Sequence, residues 1–464
     1  MVVRHSTTRR TVVAAVAAAL SGCASSDESP STETTANRSS TPSTTGENTT
    51  TEQESTDPPE SPDEVARAFV TRLNEGEFQS AADLFDDALS RQVSATQLQG
   101  IWSRLQASFG SFEEISAVER RSDPPRAEVI VRVAFENGSR AVRLVVDDEN
   151  AIAGLLFLES YSPPTYADQS AFTERELTLD GDCELGATLS VPDGDGPFPG
   201  VVIVHGSGPQ DRDGTIGVNK VYQDLAWGLA SNGVAVLRYD KRTYECSVSP
   251  EEATVDRVVT DDALAAVAKL RDAAPVRPDG VAVVGHSFGG AVAPRIAERD
   301  GNLSGIAMLA GNARPLYQLL PEQNRYIAEL DGTVTDAEQE RIERFEEAVR
   351  RLDEGEVDPE ETIAGQPARF WLSVKEYDQV ETAAGLDIPR LVCQGKRDWQ
   401  ASPDADFERW RSALGDEATY RLYDRLNHLF MPGEGQSTPV KQIQTGNVAE
   451  SVVDDVAAWL PNDT

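Results

Sequence analysis

The stretch VAVVGHSFGGAVAPRIA, residues 281–297, holds an apolar run, a serine flanked by glycines and a second apolar segment of helical spacing. It predicts a strand over 281–284, a helix over 291–297 and, between them, the turn Gly285-His286-Ser287-Phe288-Gly289-Gly290. This is G-x-S-x-G in a strand–turn–helix context. Glycines are needed because side chains in so tight a turn would collide with their neighbours. The turn lifts the Ser287 hydroxyl above the sheet, at the start of a helix whose dipole favours developing negative charge. Ser287 is therefore a candidate nucleophile, and a serine hydroxyl needs a base within hydrogen-bond reach.

Outward from this turn, strands and helices alternate from about Tyr161 to the end. Residues 176–179 and 185–191 predict an entry hairpin across Asp180-Gly181, and strands follow at 200–204, 234–239, 280–284, 305–309, 388–392 and 419–423. Helices are predicted at 222–229, 258–270, 291–297 and 448–460. Apolar strands interleaved with helices signify a mostly parallel sheet with helices on both faces. With the serine turn, this resembles the α/β-hydrolase fold, whose order along the chain is serine, acid, histidine. The chain has four histidines. His5 lies in the leader, His205 precedes Ser287, and His286 adjoins it on a turn that sends its ring elsewhere. His428 remains as the base. Asp398, in the turn after the strand at 388–392, is the expected acid, with Asp404 as runner-up; Asp387 lies at the wrong end of that strand. The oxyanion of the reaction needs two preorganised donors. The backbone N–H of Phe288 is one. In hydrolases of this fold the other comes from the residue after His-Gly, which is Ser207 in His205-Gly206-Ser207-Gly208, with Gly208 as fallback. His205 is read as a loop brace.

Several motifs agree in order and spacing with one family. His205-Gly206-Ser207-Gly208-Pro209-Gln210-Asp211-Arg212-Asp213, Ile216-Gly217-Val218-Asn219-Lys220 and Leu237-Arg238-Tyr239-Asp240-Lys241-Arg242 resemble the EstD-type esterases of the α/β-hydrolase superfamily. So do the Gln394-Gly395-Lys396-Arg397-Asp398 acid turn and the Asn427-His428-Leu429-Phe430 histidine turn. The resemblance implies hydrolysis of a small carboxylic ester by Ser287, Asp398 and His428, with no cofactor and no metal. A serine aminopeptidase-like peptidase using the same residues is the alternative, and a non-catalytic binding lipoprotein a remote one. Residues 312–384 form an insertion expected to fold as a helical cap over Ser287. Within it, Phe370, Trp371 and Tyr377 either line an acyl pocket or pack the cap, and Glu376, Asp378 and Glu381 offer a grip for a free amine. The charge run at 340–361 reads as a solvated face.

Ahead of this domain, residues 62–160 predict a small α+β unit. Val65, Phe69, Val70 and Leu73 recur at helical spacing, as do Ala81, Leu84, Phe85 and Leu89, and Leu98, Ile101, Leu105 and Phe109. The period then switches to alternation over 127–135, with Asn137-Gly138 as a hairpin turn, a return strand from Ala141 and a third strand over 152–158. The pattern resembles the nuclear-transport-factor-like modules that precede some secreted hydrolases.

The first 22 residues read as an export signal. Arg4, Arg9 and Arg10 precede an apolar run at 12–20 that is too short to span a bilayer, which needs about 20 residues. Thr8-Arg9-Arg10 resembles a twin-arginine signal, and Leu20-Ser21-Gly22-Cys23 resembles a lipobox, in which Cys23 is acylated and becomes the first residue. The expected location is the outer face of the cell membrane, through a lipid anchor. Nineteen of the 38 residues at 24–61 are Ser or Thr, so this segment reads as a disordered tether from Cys23 to Ser61. Asn37 and Asn48 open glycosylation sequons on it. Cys183 and Cys246 are able to pair in an oxidising compartment, and Cys393 reads as a core residue.

The chain of 464 residues carries 42 basic and 78 acidic side chains, a formal charge of −36. That excludes a protein held on nucleic acid by a basic surface. Six lysines stand against 36 arginines. An acidic, lysine-poor surface resembles those of salt-loving organisms. Nothing in the pattern speaks to oligomeric state.

Overall fold

The structure is a computed structural model that describes residue 59 and residues 61–460, apart from 121, 123–125, 137 and 159–160. The leader, Cys23, both sequons, the tether up to Pro58 and the turn residue Asn137 lie outside the described residues. The chain divides into two compact units between residues 160 and 161.

In the first unit, α1 (Pro62–Glu75) starts on a reciprocal cap, in which Ser61 Oγ accepts from Glu64 N and the Glu64 carboxylate accepts from Ser61 N. It ends at Gly76, whose φ of 79° needs no Cβ. The helix expected across Ala81 to Leu89 is instead two short ones, α2 (Phe78–Ala82) and α3 (Asp87–Ser90). Asp86 interrupts it, because its carboxylate caps α3 at Leu89 N (2.7 Å) while Phe85 bridges to Ile152. After α4 (Ala95–Phe109) come four antiparallel strands in order β1 (Phe112–Arg120), β2 (Arg126–Phe135), β3 (Gly138–Asp147) and β4 (Ile152–Leu158). The sequence pattern predicts no strand at β1. Its register shifts at Phe112/Glu114 and Ile115/Ala117 break the alternation that marks a strand. The helices and the inward residues of β2 and β3 enclose one core, with Phe69, Leu73, Trp102, Val131 and Leu144 fully or almost fully buried.

The second unit is built on an eight-stranded sheet. β5 (Phe172–Leu179) and β6 (Leu185–Pro192) form the antiparallel entry hairpin at one edge. β7 (Phe198–Val204), β8 (Ala235–Tyr239), β9 (Val276–His286), β10 (Ile306–Leu309), β11 (Arg390–Gly395) and β12 (Thr419–Tyr423) are mutually parallel. Their order is β12-β11-β10-β9-β7-β8-β6-β5. Residues alternate between the two faces. Val202, Val204, Val281 and Val283 face one core, and Val201, Ile203, Ala282 and Val284 the other. The first core is covered by α6 (Asp261–Arg271) and α7 (Phe288–Asp300), the second by α5 (Val221–Ser231) and α13 (Glu450–Trp459). From β7 the chain moves to one side, into β8. From β9 it moves to the other, into β10. A sheet that reverses its winding in this way opens a crevice at the carboxyl ends of the two strands. Ser287 follows β9 and His205-Gly206-Ser207 follows β7, so both stand at that crevice.

Between β10 and β11 lie α8 (Leu316–Glu329), α9 (Asp336–Glu354), a hairpin of Thr362–Ile363 with Gln366–Pro367, α10 (Ala368–Lys375) and α11 (Gln379–Ala384). α9 buries Ile342 and Leu352 and leaves its charged face to solvent. α11 packs on α7. Cys183, between β5 and β6, is disulfide-bonded to Cys246 beyond β8, 63 residues away. Cys393 is buried within β11, and burial pushes its thiol up to about 12. α12 (Glu408–Leu414) packs on α11 and buries Trp410 and Leu414. Among the described residues no helix is long and apolar enough to cross a membrane.

Candidate active site

Ser287 sits at φ 55°, ψ −122°, a conformation that an L-residue holds only under constraint. Its N–H donates to Leu309 O (2.8 Å) and its carbonyl accepts from Ala291 N (3.1 Å). The glycines around it are sterically required. A Cβ on Gly285 would lie 2.2 Å from Gly289 O, and one on Gly289 would lie 2.4 Å from both Val204 O and His205 O. The nucleophile turn is thus pressed against the loop after β7. Gly206 lies nearer still to the serine, since a Cβ there would sit 3.6 Å from Ser287 Oγ.

His428 and Asp398 come together across 30 residues, with Nδ1 to Oδ2 at 2.7 Å, and both are almost fully buried. The carboxylate is held on all sides. Oδ2 also accepts from Gln394 Nε2 (2.7 Å), and Oδ1 accepts from Gln400 N (2.7 Å) and Ala401 N (3.1 Å). An acid gripped this way fixes the imidazole with its proton on Nδ1 and Nε2 free to accept. Asp404 and Asp387 are exposed and make no contact with His428. The turn that carries His428 is shaped by Asn427, whose Oδ1 accepts from Leu429 N (2.9 Å) and Met431 N (3.0 Å), and Phe430 turns at φ 57°. Gly395 lets this turn approach, because a Cβ there would lie 2.4 Å from Leu426 O. Gln394 and Asn427 lie within the acid-turn and histidine-turn motifs, and their tasks show only in the contacts they make in space.

His286 has a larger part than its exclusion as a base suggested. Its Nε2 lies 2.9 Å from His428 O and its Nδ1 3.3 Å from Tyr222 OH. With Nε2 donating, it ties the histidine turn to the residue before Ser287. Burial holds its pKa down at about 3, so it bridges as a neutral ring. His205 packs edge-on against Tyr222 and Tyr239 and is likewise held at about 3 by burial. It braces the loop, as expected.

Gly206 is pinned through both of its peptides. Gly206 N donates to Tyr222 OH (3.0 Å), and Gly206 O accepts from Lys241 Nζ (2.6 Å). In a trans peptide the next N–H points opposite the carbonyl, so the Ser207 N–H is turned away from Lys241. The motifs on either side form an ion-pair lattice that holds this loop. Arg212 pairs with Asp240 and Glu176, each at 2.5 Å. Asp213 joins Arg238 (3.0 Å) and Lys220 (2.7 Å), and Arg242 joins Asp262 (2.5 Å). Gly186 is required, since a Cβ there would overlap the Arg212 guanidinium.

A cavity of about 60 Å³ opens beside Phe288, Ser207 and Gly208. Lys241, Thr243 and Val258 line one part, and Leu316, Gln366, Phe370 and Trp371 of the insertion the other. The insertion therefore walls the site, and Phe370 packs edge-on against Phe288 with ring centres 5.9 Å apart. Trp371 lines the cavity while its Nε1 donates to Ile363 O (2.7 Å). Tyr377 packs instead, its hydroxyl donating to Ala291 O (2.9 Å). Glu376, Asp378 and Glu381 do not reach this cavity. They surround a different depression with Arg295, and Asp378 caps α11 through Val380 N and Glu381 N. The amine grip expected of them is not formed at Ser287.

Residues 201–439 match the model of the alpha/beta hydrolase family. The chain is 36% identical to "Esterase EstD" of Thermotoga maritima over 404 residues, covering 86% of this chain and 95% of that one. This chain belongs to the α/β-hydrolase family. Residues 66–155 match a second model, described as a protein of unknown function, DUF3887. Among solved structures, Est1E from Butyrivibrio proteoclasticus aligns with a TM-score of 0.40 at 16% identity, over 61% of this chain and 97% of its own. An acylaminoacyl peptidase of Pyrococcus horikoshii aligns with a TM-score of 0.42 at 15% identity, over 69% and 47%.

The buried histidines set an acid limit on stability. His205 and His286 titrate near 3 when folded, against an ordinary 6.5. Below 6.5 the unfolded chain binds protons that the folded chain refuses, so stability falls with pH until about 3. Asp224, raised to about 6 by burial, and Asp262, raised by the same cause, act with the opposite sign, whereas Glu174, Asp213 and Asp256, held low by their arginine and lysine partners, act with the histidines. In molar salt the melting temperature should fall as pH drops from about 6.5 to 4. His286→Gln should flatten that slope, and a slope unchanged by it would clear the histidine of the effect.

Proposed function

We propose that this protein is a serine esterase acting on small carboxylic esters. The observation that supports it most is the His428–Asp398 pair, 2.7 Å apart and buried, on a turn tied to His286, the residue before Ser287. In the reading we favour, Ser287 Oγ attacks the ester carbonyl while His428 Nε2 takes its proton. Asp398 orients the ring and stabilises the imidazolium. The tetrahedral oxyanion accepts from the N–H groups of Phe288 and Ser207. Its collapse expels the alcohol, which takes the proton from His428. Water then attacks the acyl-serine by the same route and releases the acid. A cavity of about 60 Å³ suits a short acyl chain, far below the several hundred Å³ of drug-sized pockets.

Relative rates test this. kcat/KM for p-nitrophenyl acetate or butyrate should exceed that for any aminoacyl anilide by at least about 100-fold, a gap of about 2.7 kcal/mol. Ser287→Ala should abolish both turnover and fluorophosphonate labelling. Ethyl butyrate must turn over too. An inert ethyl butyrate beside a cleaved anilide would replace the esterase with a peptidase.

We also propose that the protein is exported and lipid-anchored through Cys23, on the outer face of the membrane. The lipobox-like 20–23, the arginine pair, the Ser/Thr-rich tether and a Cys183–Cys246 disulfide suited to an oxidising compartment support this. Cys23→Ala should release the protein to the medium or block its maturation. A variant that stays on the membrane at the same processed mass would overturn the anchor.

The surface charge is read as an adaptation to salt. A net charge of −36 repels itself most at low ionic strength, where screening is weak. Activity and melting temperature should both rise from low to molar salt, and a flat or falling profile would reject the reading.

A further inference from the structure

Basic side chains of the loops around the crevice are matched with carboxylates. Arg212 has Asp240 and Glu176, Lys220 has Asp213, Arg238 has Asp213 and Glu174, and Arg242 has Asp262 and Asp182. Lys241 differs. It is 3% exposed, and among the described residues its ammonium makes one hydrogen bond, to the neutral carbonyl of Gly206. The carboxylate that acts on it electrostatically, Asp262, is engaged by Arg242 through both oxygens. An ammonium has three donors, so the capacity of Lys241 is unfilled.

A second group nearby is in the same state. Thr243 Oγ1 is buried and has no hydrogen-bond partner among the described residues. Lys241 and Thr243 line the same cavity beside Ser207 and Phe288, the two residues whose N–H groups would receive the oxyanion. The remaining walls include Val258, Leu316, Phe370 and Trp371, which are apolar. Buried donors with unfilled capacity are costly, and a site that keeps them is built to receive an acceptor. The peptide geometry separates this role from that of the oxyanion hole, because the Gly206 carbonyl faces Lys241 while the Ser207 N–H points the other way.

We infer that the cavity is a subsite for a carboxylate at the far end of a short acyl chain, held by the Lys241 ammonium and the Thr243 hydroxyl. The substrate class is the half-ester of a short dicarboxylic acid. Its methylenes lie against the apolar walls and its free carboxylate fills the vacant donors. Burial holds the Lys241 pKa down at about 7, and an anion beside it would restore the charged form. The net charge of −36 opposes the approach of an anion, and molar salt screens that repulsion. This inference rests on the esterase reading.

The test compares two methyl esters of nearly equal shape, in molar salt with proton release followed by pH-stat. One is methyl hydrogen succinate. The other is methyl 4-methylpentanoate, in which an isopropyl group replaces the carboxylate. The wild type should prefer the succinate half-ester in kcat/KM by at least about tenfold. Thr243→Val should cut that ratio by about fivefold or more, and Lys241→Met by about 100-fold, mainly through KM for the anionic ester. Loss of both esters in equal proportion in the two variants would mean that these residues only brace the Gly206 loop, and would overturn the subsite. Thr243→Val keeps the test open should Lys241→Met fail to fold. A wild type that cleaves the neutral ester as well as or better than the half-ester would overturn this inference alone. A wild type that cleaves neither would overturn the esterase reading with it.

Discussion

The crowding around Ser287 is the constraint on which the site depends. A residue at φ 55° between a strand and a helix is tolerable only if the backbone on every side comes close enough to hold it. Here that backbone is the end of β7, which passes so near Gly289 that no Cβ fits. The same approach brings Gly206 and Ser207 to the serine. One steric requirement thus accounts for the glycines, the strained nucleophile and the placement of the loop that faces it.

The three described histidines divide the work of the site by environment rather than by type. His428 has a saturated carboxylate behind it, which fixes the orientation of its ring. His286 and His205 are buried without an acid partner, so they stay neutral and act as hydrogen-bonded or packed struts. His286 is the link between the nucleophile turn and the base turn, two segments more than 140 residues apart. Its value is geometric, since a hydrogen bond to His428 O fixes the backbone from which the base projects.

The charged residues follow a similar division. Over the whole chain, acidic side chains outnumber basic ones by 78 to 42. Under the crevice, Arg212 with Asp240 and Glu176, Arg238 with Asp213, Lys220 and Glu174, and Arg242 with Asp262 and Asp182 make a lattice of three separate ion-pair groups that ties the loop beyond Gly206 to the edge hairpin. Buried pairs of this kind contribute little net stability compared with apolar packing, but they fix one arrangement. Lys241 stands inside that lattice with a peptide carbonyl in place of a carboxylate.

Much of this was legible in the sequence because the deciding signals are local. The serine turn, the apolar strands, and the acid and histidine turns are each set by a few adjacent residues whose steric and polar needs read directly from their types. Chain order and a short supply of histidines then singled out His428, and strand position singled out Asp398; the structure brings the two within 2.7 Å. What escaped was whatever depends on partners distant in the chain. β1 was hidden because its bulges disturb alternation, and those bulges exist only against β2. The union of Cys183 with Cys246, the packing of Tyr377 on Ala291, and the absence of an amine grip at Ser287 all depend on where separate segments meet. So does the isolation of Lys241, which stands in sequence beside Asp240 and Arg242. The order of elements and the chemical groups on offer follow from residue types and their spacing along the chain. Which of those groups satisfy one another, and which are left facing a cavity, follows from distances in space, because hydrogen bonds and charge pairs form only between atoms that the fold brings together.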